Sequence, residues 1–284
     1  MGCQLSEIIY KPIEIVESID PKTLENIREL VYEKSGIKLD RSKESLIRAR
    51  IGKRMRSMGV SDHREYLKMV IEDNSGQEII HLLNAISTNV TSFFRGIDHF
   101  EFLAKLMEEW VSDGQIRFRI WSAACSSGEE PYSMGMSILH TVNNSIDCKI
   151  LATDISTGVL QKAQEGIYNS EKVNHIPKLL KNKYLEKIDG SEDAVYKVKN
   201  FLKDIIVFRR LNLSKTPFPM RGPMDVVFCR NVMIYFDINT RKQLIHEIYR
   251  LLKPHGYLFV GHAESLIGLA TGFRAIRPSV YIKE

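Results

Sequence analysis

From residue 117 onwards, short runs of β-branched and aromatic residues alternate with helical patterns. That alternation constrains the fold more than any other feature of the chain. RFRIWSAAC (117–125), KILATD (149–154), DIIVFRRLNL (204–213), MDVVFCRN (224–231) and GYLFVGH (256–262) read as strands. PYSMGMSILHTV, TGVLQKAQEGIY and TRKQLIHEIYRLLKP (240–254), the last stopped by Pro254, read as helices between them. Such a pattern builds a parallel α/β sheet with its sites at the carboxyl ends of the strands. FRAIRPSVYIKE (273–284) reads as one further strand that closes the sheet. The stretch 169–203 breaks the pattern: it is Lys-rich, and AVYKVK within it reads as a short edge strand. An insertion or small β subdomain is expected there, with its lysines (172–187) forming a solvated face.

The first 110 residues carry no strand signal. Segment 22–35 places Leu24, Ile27 and Val31 at helical spacing, and 43–58 repeats this with Ile47, Ile51, Met55 and Met58. On a 100° wheel these four fall within about 80° of one another, leaving Arg50, Lys53, Arg54 and Arg56 off the stripe. Segments 62–72 and 77–86 read as further helices, broken by Asn74-Ser75-Gly76. A small helical domain ending near residue 90 is expected, followed by the sheet domain to residue 284.

Charge separates these parts further. The net charge is +5, yet residues 1–85 hold 14 Lys/Arg and 14 Asp/Glu. Within them, residues 41–56 carry Arg41, Lys43, Arg48, Arg50, Lys53, Arg54 and Arg56 against Glu44 alone. A nucleic-acid-binding domain is usually basic as a whole; here one helix is basic and its surroundings are not. With 44% hydrophobic and 26% charged residues the chain is of globular composition, and no apolar run of about 18 residues spans a membrane. MGCQLS fits the loose acylation pattern at Gly2 and Cys3. Cys3, Cys125, Cys148 and Cys229 form no C-x-x-C pair or metal spacing and read as reduced cytosolic thiols.

The first strand ends in Ser122-Ala123-Ala124-Cys125-Ser126-Ser127-Gly128-Glu129-Glu130-Pro131. Small residues let a ligand approach the backbone closely. The loop lacks the G-x-G-x-x-G of a pyrophosphate site, and its two acids repel a pyrophosphate but suit a cation. A nucleoside with a positive group is implied, S-adenosylmethionine rather than NAD; the alternative is that the acids only cap the helix dipole. Asp154 ends the second strand, where an acid bonds ribose hydroxyls in many nucleoside-binding folds.

TNVTSFFR (88–95), WSAACSSGEEPYS (121–133), ATDIS (152–156), LNL (211–213), FCRNVMIYFD (228–237) and LLKPHGYLFVGHAES (251–265) together resemble the chemotaxis receptor methyltransferases of the CheR family. The resemblance covers nearly the whole chain. Cys125 and His255-Gly256 depart from the familiar pattern at positions that are not catalytic. The fold it implies is an α/β, Rossmann-like class I methyltransferase sheet. A helical domain over 1–90 would recognise the receptor and cover part of the cofactor site. The methyltransferase domain would span 91–284, with a β subdomain insertion at about 169–203. The implied activity is methyl transfer from S-adenosylmethionine to glutamate side chains of chemoreceptor proteins.

Residue roles follow from the resemblance. Asn89, Thr91, Arg95, Glu130, Asp154, Asn212, Leu213, Arg230 and Asn231 would bind the cofactor: Glu130 at its cationic methionyl end, Asp154 at the ribose, Asn212 and Leu213 around the adenine. Arg95, Arg230 and Tyr235 would act on the substrate acid. Phe93, Phe94 and Phe228 are expected in the core, the cysteines as inert small residues, and His262 as the end of its strand. Glutamate has a reference pKa near 4.3, so the nucleophile is ionised at pH 7 and no general base is needed. Arg50, Lys53, Arg54 and Arg56 would dock the acidic helical bundle of the receptor. The expected protein is cytoplasmic and monomeric, with no metal, nucleic acid or membrane insertion. The resemblance leaves open whether the β subdomain also docks a receptor's C-terminal peptide, as it does in some relatives. Two rival classes are a sensor that binds the cofactor without catalysis and a nucleic-acid methyltransferase using the basic helix.

Overall fold

A computed structural model describes residues 19–40, 44–142, 146–188, 194–269 and 272–284. Gly2, Cys3, Arg41 and Lys43 lie outside the described residues. The chain divides into two compact units. Residues 19–32 and 39–86 belong to the first, and residues 33–38 and 87–284 to the second.

The first unit contains α1 (Pro21–Ser35, up to residue 32), α2 (Glu44–Met58), α3 (His63–Glu72) and α4 (Gln77–Ile86). Leu24, Ile27, Val31, Ile47, Ile51 and Met55 are buried as their spacing requires, while Met58 is half-buried. The break before α4 is built by Asp73, whose carboxylate accepts from Ser75 N (2.9 Å) and Glu78 N (2.7 Å). The expectation that α2 shows all four of its cations is corrected here. Arg54 donates from Nε (2.9 Å) and Nη2 (2.5 Å) to the buried carboxylate of Glu78, which also accepts from Tyr66 OH (2.9 Å). Arg50 donates to the carbonyl of Ile86 at 2.5 Å. A buried acid has to be neutralised, so Arg54 is drawn inward; Lys53 and Arg56 are exposed.

The second unit holds α5 (Ile97–Ser112) and a seven-stranded sheet. Its strands are β1 (Arg117–Ala123), β2 (Asp147–Asp154), β6 (Ile206–Arg210), β7 (Met224–Cys229), β8 (Leu252–Val260), β9 (Phe273–Arg277) and β10 (Val280–Lys283). Their order is β6-β2-β1-β7-β8-β10-β9, and the first five are parallel. Connecting helices are α6 (Glu129–Thr141), α7 (Thr157–Glu165) and α11 (Ile238–Leu251). Side chains alternate across the strands. Phe118, Ile120, Val226 and Phe228 face a core shared with α5 and α6; Trp121, Ala123, Val227 and Cys229 face one shared with α11. Both faces are covered, so the middle of each strand is apolar, and charged residues such as Arg117, Asp147 and Arg210 sit towards the strand ends.

Three expectations are corrected. FRAIRPSVYIKE is not one strand but an antiparallel hairpin, β9–β10, turning at Pro278 and Ser279, whose φ is 57°. The last helix ends at Leu251 rather than Pro254, because the residue before a proline avoids the helical region; Pro254 lies inside β8. AVYKVK is not an edge strand: β5 (Val195–Val198) lies at the centre of a three-stranded antiparallel sheet, between β3 (Ile167–Asn169) and β4 (Leu185–Ile188). The short helices α8 (Ser170–Val173), α9 (Lys178–Tyr184) and α10 (Asn200–Lys203) complete that region. Phe93, Phe94 and Phe228 are buried as expected, and burial raises the thiol pKa of Cys125, Cys148 and Cys229 above the ordinary range.

Candidate active site at the carboxyl ends of the strands

The strand order reverses between β1 and β7, and a parallel sheet opens its ligand crevice at such a point. The loop leaving β1 is tightly coiled, with Ala124 (φ 65°), Ser126 (φ 48°) and Gly128 (φ 95°) all left-handed. A Cβ on Gly128 would stand 2.9 Å from that of Ala163 and 3.0 Å from Tyr168 Oη, so only glycine fits there.

Asp154 holds this loop in place. Its Oδ2 accepts from Ser126 N and its Oδ1 from Ser156 N, both at 2.9 Å. Burial pushes its pKa up, against the pull of the backbone N–H groups of Ser156, Ser126 and Ile155. The two oxygens offer about four lone-pair directions, more than these backbone N–H groups use. Ser126 Oγ donates to the carbonyl of Asn89 (2.9 Å), which joins the segment before α5 to the same loop.

The two acids that open α6 do different things. Glu129 is fully buried, accepts from Ser127 Oγ at 2.7 Å and is ion-paired with Lys172. Glu130 accepts from Ser122 Oγ at 2.7 Å and meets Arg230 Nη1 at 3.2 Å. Burial raises the pKa of Glu130, with Arg230 and Ser122 opposing it. Arg230 is itself buried. It donates from Nη2 to the carbonyl of Arg95 at 2.5 Å, and its Nε has no hydrogen-bond partner. Phe100 and Phe228 pack on its guanidinium plane at 5.6 and 5.7 Å.

The other expected residues are placed unevenly. Asn89 and Thr91 are half-buried; the Arg95 side chain is exposed and donates to the carbonyl of Val90 at 3.1 Å. Asn231 follows β7 with φ 59°. Tyr235 is half-buried in a 3-10 turn (Met233–Tyr235), and its carbonyl accepts from Lys38 N at 2.8 Å. Asn212 is tied into the protein but keeps one donor: its Oδ1 accepts from Ser214 N (3.0 Å) and Ser214 Oγ (2.8 Å), and one Nδ2 hydrogen goes to the carbonyl of Lys34 (2.7 Å). Leu213 is buried in the α11-side core.

Sequence reasoning passed over Glu264. Its buried Oε2 accepts from Asn231 N and Gly261 N, both at 2.7 Å, and its Oε1 from Ile234 N at 3.3 Å. It ties the loop after β8 to the loop after β7, so it fixes the main chain at Asn231. The signal available was its place in the matched GHAES stretch. His262 does more than end its strand: its Nε2 lies 3.2 Å from Asp98 Oδ2, and its ring stacks on that of His99 (4.6 Å, 12°). His99 is buried against Ser279 Oγ at 3.0 Å, and burial, with Arg230 nearby, takes its pKa down to about 4. Asp98, His99 and His262 bring ligand-type atoms within 4.8 Å of one another. The two rings are almost parallel, so their in-plane lone pairs do not converge on one point. Among the described residues, no helix is long and apolar enough to cross a membrane.

Comparison with known proteins agrees with this geometry. A family model described as "CheR methyltransferase, all-alpha domain" matches residues 22–87, and one described as "CheR methyltransferase, SAM binding domain" matches residues 89–282. The chain is 38% identical over 274 residues to the chemotaxis protein methyltransferase of Borreliella burgdorferi, covering 94% of this chain and 95% of that one. It is 35% identical over 256 residues to the Escherichia coli protein of that name, covering 90% and 88%. Chemotaxis protein methyltransferase 2 of Pseudomonas aeruginosa is 35% identical over 259 residues, covering 90% and 91%. A helical first unit, and a parallel sheet whose β1 loop, β2 acid and β7 arginine meet at one end, carry the same two-part signature: this chain belongs to the CheR methyltransferase family.

Proposed function

We propose that this protein transfers the methyl group of S-adenosylmethionine to glutamate side chains of chemoreceptor helical bundles, giving glutamate methyl esters. The observation that carries the reading is the buried Arg230–Glu130 pair at the β1/β7 crevice, with the Arg230 Nε left unpartnered beside it. An orphaned buried donor next to a carboxylate suits a zwitterionic amino-acid group, so the residues present fit the methionyl end of the cofactor. The bound cofactor supplies an electrophilic methyl on a sulfonium.

The chain's own work is placement. Glu130 accepts from the methionyl ammonium, and Asp154 uses its remaining lone pairs on the ribose hydroxyls. Asn89 and Thr91 add polar contacts, and Arg95 meets a carboxylate as a bidentate donor. Leu213 borders the adenine by packing, while Asn212 shapes the adjoining turn. The Tyr235 hydroxyl, with Arg95 and Arg230, orients the incoming glutamate. That glutamate is ionised at pH 7, so alignment rather than proton transfer lowers the barrier, and orientation supplies about 7–11 kcal/mol. Charge is neutralised as the methyl moves, so excluding water favours the reaction. On the helical unit, Lys53 and Arg56 dock the acidic receptor bundle, which speeds encounter at low salt.

Incubation with methyl-labelled S-adenosylmethionine and receptor cytoplasmic fragments tests the reading. Base-labile label on the receptor is expected, and Tyr235→Phe should lower turnover while leaving cofactor affinity nearly intact. Label on RNA or DNA, or no label at all, would overturn it.

A further inference from the structure

The lysine-rich stretch of the small β insertion is not simply a solvated face. Its first lysine, Lys172 on α8, reaches across to the opening turn of α6 and pairs with Glu129, whose side chain is 0% exposed. The same ammonium lies 3.4 Å from Ser127 Oγ and 5.8 Å from the ring centroid of Tyr168. Tyr168 on β3 donates from its hydroxyl to the carbonyl of Ser127 at 2.6 Å and sets its ring edge-on to Phe93 at 4.9 Å. The insertion therefore grips the loop between β1 and α6 at consecutive polar groups: Ser127 O, Ser127 Oγ and the Glu129 carboxylate. Asn169 Oδ1 accepts from Lys172 N at 3.1 Å and fixes the turn that presents the lysine.

We propose that Lys172 is a positioning residue for S-adenosylmethionine: by neutralising buried Glu129 it holds the Ser126–Gly128 loop in its coiled form, leaving Glu130 as the acid that meets the cofactor. This rests on the reading of that loop as the cofactor cradle. An unpaired carboxylate has no stable place in a site with no solvent exposure. Without Lys172 the Glu129 carboxylate loses its counter-charge and has to turn outward to regain one. Turning outward drags the first turn of α6, because the Glu129 carbonyl accepts from Ser133 Oγ (2.7 Å), which itself accepts from Phe94 N (2.9 Å). Glu130 and Ser127 move with it.

The test is calorimetric titration of the full chain with S-adenosylhomocysteine, alongside steady-state kinetics in S-adenosylmethionine. Lys172→Met should weaken binding by about ten- to a hundredfold and raise the KM for cofactor, with kcat at saturation largely kept. Lys172→Arg should restore binding. Glu129→Gln removes the charge that Lys172 serves, so E129Q/K172M should bind within about threefold of E129Q. That comparison stands even if K172M alone does not fold. K172M that binds like wild type, or a double variant that loses a further tenfold against E129Q, overturns the proposal. Wild-type protein that does not bind S-adenosylhomocysteine would sink the cofactor reading together with it.

Discussion

Arg230 and Glu130, one hundred residues apart in the chain, meet at 3.2 Å, the arginine side chain 3% and the glutamate 13% exposed. The same guanidinium donates to the Arg95 carbonyl, so one side chain joins the loop after β7, the first turn of α6 and the segment leading into α5. Three loops from distant parts of the sequence are registered by a single cation.

Breaking that pair should cost more than a surface ion pair does. Arg230→Met leaves Glu130 buried without its counter-charge, and we expect a loss of about 3–5 kcal/mol in stability. R230M/E130Q should recover much of that loss without recovering cofactor binding. Thermal denaturation and calorimetry on the two variants read the two effects separately. A single variant as stable as wild type would mean that the pair does not register these loops.

Acid should weaken cofactor binding earlier than it weakens an ordinary carboxylate site. Burial holds the pKa values of both Asp154 and Glu130 above the ordinary range, so each takes up a proton at a higher pH than an exposed acid. On the proposed reading of the site, protonation would remove an acceptor from the ribose side and the anion from the ammonium side. Affinity for S-adenosylhomocysteine is expected to fall with pH, beginning above the ordinary carboxylate range near pH 4. The stability of the unliganded chain moves the other way for these two groups. The folded state binds their protons before the unfolded state does, so their cost to folding is relieved as pH falls through the raised folded values. Calorimetric titrations from pH 8 down to 4 check the first part; an affinity that stays flat down to pH 4 contradicts it.

On the helical unit, Arg54 and Lys53 should separate cleanly. Arg54→Ala strips Glu78 of its counter-charge, leaving only the Tyr66 hydroxyl on its carboxylate, and should destabilise that unit by about 1.5–3 kcal/mol, whereas Lys53→Ala should stay within about 0.5 kcal/mol of wild type. Burial pushes Glu78 up, but its hydrogen bonds from Arg54 and Tyr66 leave it below its ordinary pKa. Its stabilisation is therefore fully present above the unfolded pKa and is lost as pH falls through the lowered folded value. K53A/R56A should instead raise the KM for receptor and flatten its salt dependence, since screening acts over about 8–10 Å. An unchanged receptor KM at low salt would remove these two cations from the docking surface.

A side chain at Gly261 would press on the Asn231 main chain, whose N lies 3.0 Å from a Cβ placed there. A Cβ there would fall 2.7 Å from both Asn231 Nδ2 and Glu264 Oε2. Gly261→Ala should displace the loop after β7 and lower turnover by at least about tenfold, an energetic effect of roughly 1.4 kcal/mol. Glu264→Gln keeps the volume but is a poorer acceptor for the three N–H groups the carboxylate holds, so it should reproduce part of the loss. Initial rates at saturating substrates, with circular dichroism to confirm the fold, decide it; wild-type rates for both variants would show that Asn231 needs no such support.

The sequence by itself determined the order and type of the principal elements, and the reason is periodicity. Leu24, Ile27 and Val31, or Ile47, Ile51 and Met55, can bury together only on helices, while strand runs such as RFRIWSA need cover on both faces. The strand ends bearing Ser126, Asp154 and Arg230 were legible for the same reason: once the elements alternate, the carboxyl ends of parallel strands have to share one edge. Tertiary structure alone decided which charges are spent. Glu129 and Glu130 are neighbours in sequence and look equivalent, yet one is paired with Lys172 and the other with Arg230. On the wheel Arg54 flanks the apolar stripe and Lys53 lies opposite it, but only the tertiary structure supplies the buried partner of Arg54, Glu78, 24 residues further on. Pro254 and AVYKVK misled because a strand can begin beside a proline and a short polar strand can be central when its sheet is small. Local patterning follows from backbone geometry within a few residues, but a buried charge chooses its partner across the fold, where desolvation makes an unpaired ion too costly to keep.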